Sequence, residues 1–121
     1  MTDNADYIGD EAQIGGGFGG MKPLAQHGTV TISQGVLTLF DSNGAAIASA
    51  PLEAVEVKQI KITRGLSVSV VMDGTKYSLS VGWGRRLNVN EAGGRAQQAD
   101  AKEGTQGFVE AFEQLSGKRV S

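Results

Sequence analysis

The stretch "GLSVSVVMDGTKYSLSV", Gly65 to Val81, constrains the fold more tightly than any other part of the chain. Leu66, Val68, Val70 and Met72 recur at every second position, with Ser67 and Ser69 between them. Successive side chains of a strand point to opposite faces, so this spacing predicts a strand with one buried face. Asp73-Gly74 follows, a pair favoured in type I′ turns because both central residues need positive φ. Tyr77, Leu79 and Val81 then resume the inward row. The segment predicts a tight antiparallel hairpin.

The same logic extends upstream. "GTVTIS" puts Val30 and Ile32 on one face, "QG" turns the chain, and "VLTLF" forms the next strand. "DSNG", Asp41 to Gly44, is a strong turn signal, because each of its Asp, Asn and Gly residues favours turn geometry. "AAIASA" predicts a short strand ending at Pro51, which has no N–H to donate. In "EAVEVKQIKI" the apolar phase changes: Val55 and Val57 are odd, Ile60 and Ile62 even. A strict period of two cannot bury both pairs, so a β-bulge or sharp bend is expected near Lys58 and Gln59. A further short strand is expected through Leu87 to Val89, and a long loop over 91–104. "TQGFVEAFEQLSGKR" predicts a helix over 105–116, with Phe108, Phe112 and Leu115 along one stripe. Thr105 caps its start and Gly117 its end, and Lys118 and Arg119 follow where the helix dipole favours cations.

The expected fold is mainly β: a small antiparallel meander of six or seven strands, rolled into a barrel and closed by one C-terminal helix. The domain runs over 25–117, with a basic tail at 118–121. Residues 1–24 show no sustained period and are read as an acidic, Gly-rich mobile arm with a glycine linker. That arm holds a formal G-x-G-x-x-G at Gly15, Gly17 and Gly20. A dinucleotide fingerprint needs a buried strand before the glycines and a helix after them. Here the flanks are "DYIGDEAQI" and "MKPLAQ", and no G-K-[ST] is present. The motif is read as a flexible linker; the alternative is that Phe18 is an anchor set in it, docking on its own domain or on a partner.

Composition narrows the function classes. The 121 residues suit one domain, and 40% hydrophobic content is globular. A net charge of −2 gives no broad field to draw nucleic acid. With no cysteine and one histidine, thiolate zinc sites, disulfides and histidine-rich metal sites are excluded. "MTDNADYIGDEAQ" lacks the basic-then-apolar order of a secretory signal, and no apolar run has the length of a membrane span. A cytoplasmic location is the expectation, with peripheral membrane attachment as its variant.

The order of elements resembles the pleckstrin-homology-like superfold, especially its bacterial and GRAM-like members. The residues that carry the resemblance are "HGTVTISQGVLTLFDSNG", "APLEAVEVKQI", "GLSVSVVMDGTKYSLSV" and "GFVEAFEQL", within about residues 25–116. "PLEAV", Pro51 to Val55, is similar to the entrance to the bent strand of such domains. The superfold hosts lipid binding, peptide binding and scaffolding, so fold alone does not select among them. Its lipid-headgroup-binding members place Lys and Arg at the first hairpin loop. On this reading that loop is "SQG", Ser33 to Gly35, which has no cation, and the resemblance argues against a phosphoinositide site there.

No catalytic set emerges. A general base at His27 would need an orienting acid and a nearby nucleophile, and neither is legible beside it. No enzyme activity, cofactor or metal is expected. The candidate binding residues are the "WGRR" cluster of Trp83, Arg85 and Arg86, and the strand-face cations Lys61, Arg64 and Lys76. Trp and Arg are enriched at interface hot spots, and Trp83 otherwise serves to cap the roll under the helix. The expected function is a non-catalytic binding or adaptor domain for a protein partner, using a sheet edge or a groove beside the helix. An anionic-lipid binder and a structural or assembly subunit, cellular or viral and oligomeric, stand as alternatives.

Overall fold

The structure is a computed structural model that describes residues 5–16, 22–83 and 91–120, the side chains of 62 and 91–97 excepted. Seven strands form one antiparallel sheet: β1 (Tyr7–Gly16), β2 (Lys22–Ser33), β3 (Val36–Phe40), β4 (Ala46–Pro51), β5 (Val55–Gln59), β6 (Val68–Met72) and β7 (Thr75–Ser80). A C-terminal helix, α1 (Glu91–Ser116), completes the fold. The spatial order is β4-β3-β2-β1-β7-β6-β5. Mainly-β architecture with one C-terminal helix is therefore as expected, and the topology is compatible with a pleckstrin-homology-like arrangement.

The turns follow their residues. Gln34-Gly35 and Asp73-Gly74 have positive φ at both positions, as type I′ geometry requires. Asp41 Oδ1 accepts from the N–H groups of Asn43 and Ala45, the local bonding that makes Asp a turn former. Inward rows run across the sheet as Ile32–Leu37–Ala50, Met72–Val55 and Val70–Val57, while Leu79 meets both Val68 and Ile14. All are buried.

Several expectations are corrected. The segment read as an arm contains β1, which lies at the centre of the sheet between β2 and β7; its residues 1–4 and 17–21 lie outside the described set. The phase of β1 shifts from Tyr7 and Gly9 to Ala12 and Ile14, because the strand bulges at Asp10-Glu11. Glu11 there has φ 52°. Gly9, Gly15 and Gly16 are buried in this strand, so small residues stand where apolar ones would have announced it. The first hairpin is thus β1–β2, not the Gln34-Gly35 turn, and the argument against a headgroup site at "SQG" concerned the second hairpin. The seventh strand is β1; the one expected at Leu87–Val89 falls outside the described residues.

Of the bulge or sharp bend expected near Lys58 and Gln59, no bulge is present, and the bend falls just after Gln59. The β5–β6 register is unbroken to Gln59, and a 3-10 turn at Lys61–Thr63 changes the phase instead. The sheet is also not a closed barrel: β4 and β5 are its two unpaired edges, although β4 approaches β6 across the interior. The helix is longer than expected and includes the predicted loop over 91–104. Ala101, Thr105, Phe108, Val109 and Phe112 are buried against the sheet, and Phe108 and Phe112 are 0% and 1% exposed. Leu115, expected on the same stripe, is 42% exposed. Gly117 has φ 75° and its N–H donates to the Glu113 carbonyl, the left-handed helix end that glycine favours.

Residues 118–120 are docked, not a free basic tail. The Lys118 ammonium donates to three carbonyls, those of Leu52 (3.1 Å), Glu53 (3.0 Å) and Val55 (2.9 Å). All three of its protons are used. The link ties the end of α1 to the short turn that joins the two edge strands.

Thr105 is not a helix cap but a bridge in mid-helix. Its Oγ1 accepts from the Val81 N–H (3.0 Å) and donates to the Leu66 carbonyl (3.0 Å). Thr105→Val keeps the shape but leaves the Val81 N–H without its acceptor. The Leu66 carbonyl retains Ser80 Oγ, so one orphaned group sets the cost. Chemical denaturation should show a loss of about 1–3 kcal/mol.

Candidate functional site

A cleft of about 620 Å³ opens between α1, the start of β6 and the turn after β7. That size lies within the roughly 300–1,000 Å³ of ligand-holding clefts. Its walls combine Trp83, Leu66 and Ala99 with Arg64 and Lys102, and amides and hydroxyls complete the lining.

Each wall is positioned by backbone pinned to the helix. β7 ends at Ser80, and the following turn is held on both sides. The Val81 N–H bonds Thr105, and the Gly82 N–H bonds the carbonyl of Glu11 in the β1 bulge. Trp83, half-buried, leaves that turn into the cleft. On the opposite side, Thr63 Oγ1 donates to the Ile60 carbonyl (2.7 Å) and accepts from the Ser67 N–H (3.2 Å), closing the 3-10 turn into β6. Gln106 exchanges amide hydrogen bonds with Gln59 and also donates to the Gly65 carbonyl (3.0 Å). The backbone carrying Arg64 is therefore fixed to α1, while its side chain is exposed.

Arg64 has φ 56° and ψ 42°. A left-handed conformation costs a non-glycine residue about 1–2 kcal/mol, and local geometry here favours glycine or asparagine. Gly65 follows with φ 92°, and a Cβ at this position would touch the aliphatic stem of Lys102. The cleft thus holds two cations on neighbouring elements. Neither has an ion-pair partner among the described residues.

The structure divides the six residues singled out by sequence. Trp83 and Arg64 meet in the cleft. Lys76 lies elsewhere, in a groove of about 310 Å³ with Lys58, Ser69 and Ser78 on the outer face of β5–β7. Lys61 is exposed in the 3-10 turn and lines neither. Arg85 and Arg86 lie outside the described residues. Lys102 was missed because its segment read as a loop.

His27 has the orienting acid that the sequence hid. Its Nδ1 lies 2.6 Å from Glu11 Oε1, and both side chains are partly exposed. The two residues stand where β1 and β2 both break register, so the pair joins two bulges at a corner of the sheet. The His27 N–H, off the ladder, donates to Ser42 Oγ (3.1 Å). The pair lines none of the clefts described above.

Among the described residues, no group of His, Asp or Glu could hold a metal ion, and no helix is long and apolar enough to cross a membrane. Comparison with protein-family models finds no match, and comparison with curated proteins finds none of significance.

Proposed function

We propose that the chain is a pleckstrin-homology-like binding domain, non-catalytic, that recognises a segment of a protein partner in the cleft beside α1. The observation that carries this reading is the meeting of Trp83, Arg64 and Lys102 around one concavity whose backbone is fixed from both sides. Trp and Arg are the residue types that dominate interface energetics when they converge on a pocket. A scaffold that fixes the backbone carrying them lowers the ordering cost of binding.

Panning the full chain against a random-peptide library tests this. Selected peptides should bind the wild type and lose most of their affinity for Trp83→Ala, whose melting curve shows that it remains folded. Peptides that bind both proteins equally, or no enrichment above an unrelated domain, would count against the reading.

A further inference from the structure

We infer that the cleft selects an acidic segment of its partner, in which carboxylates meet Arg64 and Lys102 while an apolar side chain between them packs on Trp83 and Leu66. This deepens the reading above and rests on it.

Charge complementarity selects the occupant. The charged side chains of the cleft are Arg64 and Lys102, and no carboxylate lines it among the described residues. The stem of Lys102 runs past Gly65, so the two cations belong to adjacent walls. Neither is neutralised by the described part of the molecule. Two exposed cations on one concavity suit a ligand that carries carboxylates, because each pair formed is a charge-assisted hydrogen bond.

The other cationic regions lack this uniformity. On the outer face, Glu56 and Lys76 both register with Val71, so a carboxylate already shares that surface. The cleft of about 460 Å³ near the end of α1 is lined by Lys118 and Arg119, but also by Glu56. Lys118 there is already committed to three carbonyls.

Backbone geometry supplies a second, independent observation. Arg64 occupies a left-handed position that glycine would fill more easily, so the folded chain holds an arginine against its local preference. Left-handed non-glycine residues cluster at ligand clamps and active sites, although Glu11, Gln34 and Asp73 share this φ in a bulge and in turns.

A peptide fits better than a membrane surface. The cations flank a concavity that contains Trp83, and a lipid surface would be met by cations on a protruding face. Two cations are also few for a whole-surface attraction by a chain of net charge −2.

The test uses the full chain and its one tryptophan, Trp83, as the reporter. The probe is a short amidated peptide of alternating glutamate and leucine. A lysine–leucine peptide and vesicles of phosphatidylserine and phosphatidylcholine are run beside it. The glutamate–leucine peptide should change Trp83 emission saturably, and added salt should weaken it. Arg64→Gly and Lys102→Gln should each weaken binding by about tenfold or more. Arg64→Gly should melt no lower than the wild type, because it relieves the left-handed strain, so its loss of binding is not unfolding.

Three results would overturn the inference: equal binding of the lysine peptide, unchanged affinity in Arg64→Gly, or a response to vesicles with none to the peptide. If panning yields Trp83-dependent peptides without acidic residues, the cleft remains a peptide site and only this selectivity falls. If no peptide binds at the cleft, both fall.

Discussion

Phe108→Ala should destabilise the protein by about 3–5 kcal/mol, the usual cost of truncating a fully buried phenylalanine. The ring is 0% exposed. It contacts Tyr7 of β1 at a centroid distance of 5.9 Å and Phe112 at 6.3 Å, both tilted. The truncation therefore removes transfer energy, leaves a cavity and breaks two aromatic contacts. It also loosens the seat of α1 on β1. A domain of this size has roughly 5–15 kcal/mol in all, so the loss is a large share of the total. Leu115→Ala is the matched control on the same helix. Leu115 is 42% exposed, and its truncation should cost far less. Urea midpoints read the difference. Similar midpoints for the two variants would mean that α1 does not dock by its phenylalanines.

Two glycines of α1 should respond to alanine with opposite signs. A Cβ at Gly104 would press on the carbonyl oxygen and carbon of Val81, a rigid backbone group. At Gly107, nothing lies within 4 Å. Alanine gains roughly 1 kcal/mol of helix propensity over glycine, and at Gly107 that gain stands unopposed. At Gly104 the clash exceeds it, because the helix must lift from the turn that Thr105 holds. Overpacking of this kind costs about 1–3 kcal/mol or more. Gly107→Ala should therefore raise the melting temperature and Gly104→Ala lower it. Lifting α1 also moves Lys102 relative to Trp83, so Gly104→Ala should weaken ligand binding in the cleft, while Gly107→Ala leaves it intact. Stabilisation by both substitutions would refute the close approach of α1 to Val81.

What was legible in the chain followed from local rules. Asp73-Gly74 and Gln34-Gly35 announced their hairpins because positive φ is a property of single residues. Phe108 and Phe112 announced the helix face because their spacing matches its turn. β1 was hidden for two reasons. Glu11 sits in a bulge that breaks the alternation of the strand, and glycines occupy buried positions where neighbours leave no room. At Gly9, a Cβ would meet Val81 and the ring of Tyr7. The first half of α1 was hidden in the same way, since Gly104 is a packing residue and reads as a helix breaker. Ala101 and Thr105 extend the stripe of Phe108 and Phe112, with small residues where helix and sheet come closest.

The site was legible only in part. Trp83 and Arg64 stood out by type, but nothing local joins residues from a turn after β7 and a 3-10 turn before β6. Lys102 belongs with them only once α1 is known to extend past it. Lys61 and Lys76 were grouped with Arg64 on the outer face of neighbouring strands paired as a meander. The 3-10 turn at Lys61–Thr63 breaks that face and places Arg64 at the cleft beside the helix instead.

The most direct test of the account is an amide and indole NMR titration of the full chain with the glutamate–leucine peptide. The account predicts that the single indole signal, from Trp83, shifts together with the amides of Leu66 and Ala99. Signals from Lys58 and Lys76 on the outer face, and from Ile47 and Ser49 on the β4 edge, should stay in place. Shifts centred on that face or that edge, with the indole unmoved, would contradict it.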